Sequence, residues 1–275
     1  MSVFESFKNH GNLYIVKDKI KIPADMPEMH YHDCHELYFQ VSGARRYFIG
    51  HTIYNTAPGN VLIIPKYELH RTTARNTNSY ERYVVYFYEE SLGRLADIID
   101  KKTLKELICN GCIQLPLEYA EQIRTALKSM YDEMKLQKPY YETVLQNLFC
   151  NIIILLLRHG QIKAPLHEAE TDKIQEIAQY ISDNYAADIT LGSAAQMIFI
   201  EKTYLSKKFK QLTGFGFNEY LTQTRLKAAL ALLRTSDLAI SEISERCGFS
   251  NSNYFGDTFK RFIGVSPSRY RQAHR

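Results

Sequence analysis

Lys207, Lys208 and Lys210 stand among Tyr204, Leu205 and Phe209, in a segment whose spacing keeps two kinds of chemistry apart. On a helix, the apolar side chains at i, i+1 and i+5 turn to one side. The lysines between them are left on another, where ammonium groups can meet a polyanion. The pattern returns after 50 residues: Tyr204-Leu205-Ser206-Lys207-Lys208-Phe209-Lys210 superposes on Tyr254-Phe255-Gly256-Asp257-Thr258-Phe259-Lys260, and Gly214 falls on Gly264. A repeat of this fidelity predicts two copies of one small helical unit. Charge is distributed in the same sense. Residues 187–275 hold 13 Lys/Arg against 7 Asp/Glu, a surplus of +6 in a chain whose total is +4, so the remainder stands at −2.

Other reactive residue types give weaker signals. The five cysteines, Cys34, Cys109, Cys112, Cys150 and Cys247, are scattered and odd in number, as expected of reduced thiols in the cytoplasm rather than of a disulfide framework. Cys109-x-x-Cys112 is a lone CxxC with no second pair and no His at ligand spacing, so it reads as ordinary core or surface thiols. There is no Gly-rich phosphate loop between a strand and a helix. The greasiest run, Ile152–Leu157, falls far short of the roughly 20 residues that span a bilayer, and Glu5, Lys8 and Asn9 break up any secretory leader. The expectation is a cytoplasmic protein without a membrane partner, and its 45% hydrophobic content is enough for real cores.

Each basic segment needs an element to aim it. In the second copy, Ile240, Ile243 and Cys247 are apolar at helical spacing, and Gly248 can take the left-handed backbone of a tight turn. Phe249 plugs the core, and Ser250 can cap the next helix through the N–H of Asn253. Helix, short turn, helix is the geometry that sends a second helix into a major groove. In the first copy Leu191, Ala194, Ala195, Ile198 and Ile200 take these parts, at an offset of 49, so its turn is one residue shorter. A long helix over Asn218–Leu233 joins the copies as a stiff spacer. Ile174, Ile177, Ala178 and Ile181 form a leading helix, and Pro267 ends the packing of the second copy. Two heads seated in successive major grooves stand about 34 Å apart.

Ahead of this tail, residues 1–92 read as β-rich. Glu36–Val41, Arg46–Ile49, Val61–Ile64 and Tyr83–Tyr88 are β-branched and aromatic runs parted by Ser42-Gly43, Gly50, Pro58-Gly59 and Pro65. Short strands at this spacing suggest a small barrel or sandwich. Over 93–160 the period becomes helical, with apolar residues on more than one face of the segment from Val144 to Leu156. Such a helix must be covered on two sides, by its own domain or by the same helix of a second copy, so a homodimer is expected. Gln161–Glu170 is polar and suits a linker before a tail domain at 168–275.

From Ile174 to Arg271 the chain resembles the DNA-binding domain of the AraC-type transcription regulators. The resemblance is carried by Ile189-Thr190-Leu191, Tyr204-Leu205-Ser206-Lys207, Thr213-Gly214, Glu219-Tyr220-Leu221, Arg225, Gly248-Phe249, Tyr254-Phe255, Phe259-Lys260, Ser266-Pro267 and Tyr270-Arg271. It implies a bipartite domain on double-stranded promoter DNA, working as an activator that meets RNA polymerase or, less often, as a repressor. Carried over, the contacts are Lys202, Thr203, Lys207 and Lys208 on the first reading helix and Asn251, Ser252, Asn253, Lys260 and Arg261 on the second. Basic side chains more often position the backbone, whereas Asn can read adenine with both its groups. Three residues depart from the family pattern. Asp257 stands where Arg or Lys is usual, Gly256 weakens its helix by roughly 1 kcal/mol relative to Ala, and Glu201 replaces a capping Ser or Thr.

His30-x-His32-x-x-x-Glu36, Gly43, Pro58-Gly59, Pro65 and His70 resemble the two barrel motifs of the cupin fold. In cupin enzymes the corresponding His30, His32, Glu36 and His70 bind a metal, and imidazole with carboxylate suits Fe, Mn, Ni or Zn. In the regulator family, with a sensor that holds a divalent metal on those same four residues as the alternative, such a barrel is more often an effector pocket, expected here without a cofactor. His30, His32, Glu36, Tyr38 and His70 are then hydrogen-bonding groups for a small molecule such as a sugar, helped by tyrosines including Tyr31, Tyr47, Tyr54 and Tyr86. His35, next to Glu36 on a strand, should face the other way. The expectation is a two-domain protein: an N-terminal all-β cupin-like barrel, a helical linker region and a C-terminal all-α double helix-turn-helix. It would be a ligand-responsive transcription regulator and not an enzyme. The alternative is a cupin metalloenzyme with an accessory helical tail.

Overall fold

The β-branched and aromatic runs form strands in the computed structural model, which describes residues 12–20, 32–74, 79–109 and 111–274. The chain divides into two units, residues 1–49 with 54–166 and residues 50–53 with 167–275. The strands are β1 (Leu13–Ile20), β2 (His35–Ser42), β3 (Arg45–Ile49), β4 (Thr52–Thr56), β5 (Val61–Ile64), β6 (His70–Ala74), β7 (Tyr80–Phe87), β8 (Gly111–Gln114) and β9 (Gln161–Ile162). They make a six-stranded antiparallel sheet in the order β1-β7-β2-β5-β8-β9 and a three-stranded sheet in the order β4-β3-β6.

Among the described residues neither sheet closes, which corrects the expectation of a cupin-like barrel. The large sheet ends on β1 and on the two-residue β9, and it is covered on both faces. Leu37, Phe39, Val61, Ile63, Val85 and Phe87 point to one side, where they meet α3 (Leu117–Leu136) and α4 (Tyr141–His159) through Ile123, Leu127, Met130, Phe149 and Ile152. The alternate residues Tyr38, Leu62, Ile64, Val84 and Tyr86 point to the other side and meet Tyr47 and Ile49 of the small sheet. The result is three layers: helices, large sheet, small sheet. The unbroken apolar run Val61–Ile64 marks a strand buried on both faces. The front unit is therefore not all-β. The helices expected as a linker region, with α1 (Arg94–Ile98) and α2 (Lys101–Cys109) before them, include its second layer, and the Phe149 ring lies 4.8 Å from that of Phe87. The two-sided apolar surface of α4 is met by α3 and by this sheet.

The second unit is helical: α5 (Ala169–Asn184), α6 (Leu191–Met197), α7 (Lys202–Thr213), α8 (Phe217–Thr235), α9 (Ile240–Arg246), α10 (Ser252–Ile263) and α11 (Pro267–Ala273). Thr190 and Ser193 form a capping box on α6, and Ser266 caps α11 ahead of Pro267. Four residues, 198–201, separate α6 from α7, and five, 247–251, separate α9 from α10. This is the one-residue difference that the two offsets predict. Phe209 and Phe215 bury themselves in the first copy, Phe255 and Phe259 in the second. Each such ring contributes about 1.5–3 kcal/mol of burial. The spacer α8 is fastened at its middle: Arg225 donates from Nε to Tyr185 O at 2.8 Å and from Nη2 to Ala187 O at 2.9 Å, and its guanidinium lies 6.0 Å from the Phe249 ring.

Candidate nucleic-acid interface and ligand site

Two reading helices present their polar sides to solvent. On α7, Leu205 and Phe209 are buried while Lys202, Thr203 and Lys207 are exposed. On α10, Phe255, Thr258 and Phe259 are buried while Ser252, Asn253, Lys260 and Arg261 are exposed, as is Asn251 just before the helix. Gly214 and Gly264 end the two helices in the left-handed conformation, at φ +82° and +85°. Both copies therefore stop at the same place, and the repeat in sequence is a repeat in backbone.

Local hydrogen bonds distinguish the candidates. Asn251, not Ser250, caps α10, and its Oδ1 accepts from the N–H groups of Asn253 at 2.7 Å and Tyr254 at 3.2 Å. Glu201 does cap α7, accepting from Tyr204 N–H at 3.2 Å, and the Thr203 hydroxyl also donates to it. Lys208 is half-buried because its Nζ pairs with Glu170 of α5, which also accepts from the Tyr204 hydroxyl. The lysine and the tyrosine hold the Glu170 carboxyl below its ordinary range. Sequence reading missed Glu170, since nothing in a stretch 34 residues before Tyr204 marks it as a neighbour. Asp257 is exposed on α10, on the side turned away from Phe255 and Phe259.

The space between the two sheets holds the other site. His32, Glu36 and His70 are 4%, 3% and 1% exposed. His32 Nε2 lies 3.3 Å from Glu36 Oε2, and His70 Nε2 lies 3.6 Å from the same oxygen, too far for a hydrogen bond. The other ring nitrogens meet backbone carbonyls: His32 Nδ1 stands 2.6 Å from Cys34 O and His70 Nδ1 2.9 Å from Glu68 O. Burial works to raise the Glu36 carboxyl, but the two imidazoles outweigh it and hold the group well below the usual carboxylate range. Burial works to lower His70, and the Glu36 carboxylate outweighs it in turn and raises the imidazole above its ordinary value. One ligand atom from each of the three residues lies within 4.8 Å of the other two, so the set fits a divalent cation. His30 lies outside the described residues.

Further along the same layer, the Tyr38 and Tyr47 rings stand 4.7 Å apart. Burial pushes both phenols above their ordinary range. Arg45, 1% exposed, donates from Nε to Thr72 Oγ1 at 3.1 Å and lies over the Tyr80 ring at 4.4 Å, while Arg82 pairs with Asp18 at 2.8 Å. These two guanidiniums escaped sequence reading, although strand alternation from Tyr47 and Val84 would have assigned them to the inner face. His35 turns the other way, as expected. Its ring lies against Phe87 at 5.2 Å and its Nδ1 accepts from Lys66 N–H.

Comparison with known proteins adds to this geometry. A model described as helix-turn-helix domain matches residues 194–273, and one described as AraC-like ligand binding domain matches residues 24–153. The chain is 42% identical over 100 residues to the uncharacterized HTH-type transcriptional regulator YijO of Escherichia coli (strain K12), a stretch that covers 36% of this chain and 35% of YijO. It is 26% identical over 280 residues to the HTH-type transcriptional activator RhaS of Escherichia coli (strain SE11), covering 99% of this chain and 98% of that one. Among solved structures it is similar to the C-terminal domain of AraT, a response regulator from Geobacillus stearothermophilus, at 36% identity and a TM-score of 0.37, over 38% of this chain and 88% of that one.

Proposed function

Since the chain belongs to the AraC family of helix-turn-helix transcription regulators, as a DNA-binding protein with a ligand-responsive front domain, we propose how its residues divide that work. Lys202, Lys207, Lys260 and Arg261 position the phosphate backbone, with Thr203 and Ser252 beside them, and Asn253 reads a base edge. The observation that carries this reading is the pair of reading helices, each with a buried aromatic side and an exposed polar side. Lys208 joins the contact when Glu170 releases it. The metalloenzyme alternative is set aside, because the matched models and the full-length relative are those of transcription regulators.

The effector is proposed to enter the layer between the sheets, where His32, Glu36, Tyr38 and His70 offer donors and acceptors beside the Tyr47 and Tyr86 rings. A polyol such as a sugar suits this mixture of flat rings and hydrogen-bonding groups. A ligand acts by preferring one arrangement of the protein over another, so its signature is a change in DNA affinity. Two copies are proposed to associate through the turn between α3 and α4, where Leu136, Tyr140 and Val144 are exposed. If the chain is an activator, as the name of RhaS says of that protein, RNA polymerase is a further partner.

The test is selection of bound sequences from random duplex DNA by the full-length protein, with and without a panel of sugars and other metabolites. A recurrent bipartite motif with half-sites about one helical turn apart is expected, enriched more strongly with one metabolite present. Recovery of no preferred motif by folded protein would overturn the reading.

A further inference from the structure

We propose that Asp257 selects a cytosine in the half-site met by the second head, by accepting a hydrogen bond from the exocyclic amine of that base in the major groove. The inference rests on the DNA-binding reading above and adds a base-reading residue to those named there. Position carries it first. At about 100° of turn per residue, the buried Phe255, Thr258 and Phe259 of α10 centre on one direction, and Asn253, Asp257 and Lys260 lie within about 35° of the opposite one. Asp257 therefore stands near the middle of the exposed face, one turn beyond Asn253. That turn is about 6 Å of helix, on the order of two base steps of about 3.4 Å, so the two side chains reach different base pairs.

The carboxylate is also available. Lys260 and Arg261 follow it at i+3 and i+4, the spacing of helical ion pairs. Among the described residues Asp257 nevertheless makes no ion pair or hydrogen bond, and the Arg261 guanidinium lies instead 4.7 Å from the Phe262 ring. Gly256 clears the approach beside it. A Cβ there would meet nothing within 4 Å, so this part of the face is open, and no side chain keeps a short carboxylate from a base edge.

Chemistry then chooses the base. A carboxylate only accepts, and phosphates border the groove, so it is tolerated there only where a donor meets it. Cytosine shows its N4 amine. Guanine shows two acceptors, thymine an acceptor and a methyl, and adenine sets an acceptor beside its amine. The repeat gives a contrast within the chain: where the second copy has Asp257, the first has Lys207, which only donates. Two similar helices thus present opposite charge at one position, and the heads cannot share a base preference there.

The experiment selects bound sequences from random duplex DNA with full-length wild type, Asp257→Ala and Asp257→Asn, each checked for fold by circular dichroism. Affinity is then measured on the best wild-type duplex and on one whose selected C·G pair is changed to T·A. The wild type is expected to show one strong cytosine position in one half-site and to bind the changed duplex roughly 5- to 150-fold more weakly. Asp257→Ala should lose that preference, bind the two duplexes within about 2-fold of each other, and keep the positions set by the first head. Asp257→Asn should move the preference to adenine, since an amide can donate to N7 and accept from the N6 amine. An unchanged motif with unchanged affinities in Asp257→Ala would make the carboxylate plain solvated surface and overturn the assignment. An equal gain in affinity on both duplexes would overturn it too, leaving a group that only repels phosphate. In either case a wild-type motif still upholds the regulator reading, whereas no motif from folded wild type would bring down both.

Discussion

Asn251 and Asn253 stand two residues apart and are committed differently. Bidentate reading of adenine needs both the carbonyl and the amino group of the side chain, and the Asn251 carbonyl is already engaged by two backbone N–H groups at the start of α10. Asn253→Ala should therefore relax selectivity at one base position by about 1–3 kcal/mol. Asn251→Ala should instead lower stability by about 1 kcal/mol through the lost cap and weaken all sequences alike. Binding-site selection and chemical unfolding on both variants check this. A second residue-scale prediction concerns charge. Lys207→Ala should reduce the slope of log affinity against log salt by about 1, and Glu170→Gln should steepen it by freeing Lys208 for a phosphate. Glu170→Gln should barely move stability, since the pair it breaks is exposed at the carboxylate. An unchanged slope would remove the residue concerned from the interface.

At the scale of elements, the two copies solve one turn in two ways. Gly248 has φ +79°, and a Cβ there would lie 2.8 Å from Ala186 O. The matching residue of the first copy is Phe199, at φ +55° and 94% exposed. Gly248→Ala is expected to cost about 1–3 kcal/mol, from backbone strain and the collision together. Phe199→Gly should leave stability unchanged or raise it by up to about 1 kcal/mol, because relief of the left-handed strain outweighs the added freedom of the unfolded chain. Thermal unfolding of both variants reads the contrast, and a clear loss of stability in Phe199→Gly would contradict it.

The same scale shows what the sequence made legible. The repeat, the spacer helix and four strands could be read because buried aromatic and branched residues recur at regular spacing. β8 could not, since Gly111–Gln114 holds one strongly β-forming residue, Ile113, and β9 has two residues inside a polar stretch that reads as a linker. The pairing of β8 with β5 and of β9 with β8 is a long-range choice that no local pattern announces. The cap of α10 was misplaced by one residue because Ser250 and Asn251 are both competent caps. Within the candidate ligand site, His32, Glu36, Tyr38 and His70 do share the layer between the sheets. Arg45 and Arg82 went unread, as charged residues are ordinarily assigned to the surface.

For the whole molecule, the barrel expectation failed for a reason visible in α4. Its apolar residues, including Leu145, Phe149, Ile152 and Leu156, need a large partner, and α3 together with the outer face of the six-stranded sheet provides it. A sheet used as the middle layer keeps its edges apart. This layering can be probed through the thiols. Burial pushes Cys112 and Cys247 up to about 11 and Cys34 higher still, so all three stay protonated at pH 8, where a thiolate reagent needs the ionised form. Cys109 is exposed. Labelling at pH 8 should modify Cys109 first, and Cys34, Cys112 and Cys247 at the rate of unfolding. Fast modification of Cys112 in folded protein would mean that β8 is not seated between β5 and β9.

The unequal turns, four residues in one head and five in the other, have a last consequence. Two-fold related heads read palindromes, since rotation exchanges their half-sites. Here a single polypeptide carries unlike heads in a fixed order, so the sequence it recognises has a direction, like a word that does not read the same backwards. A copy bound through both heads would then face one way along the duplex, and turning its site around would turn the protein with it.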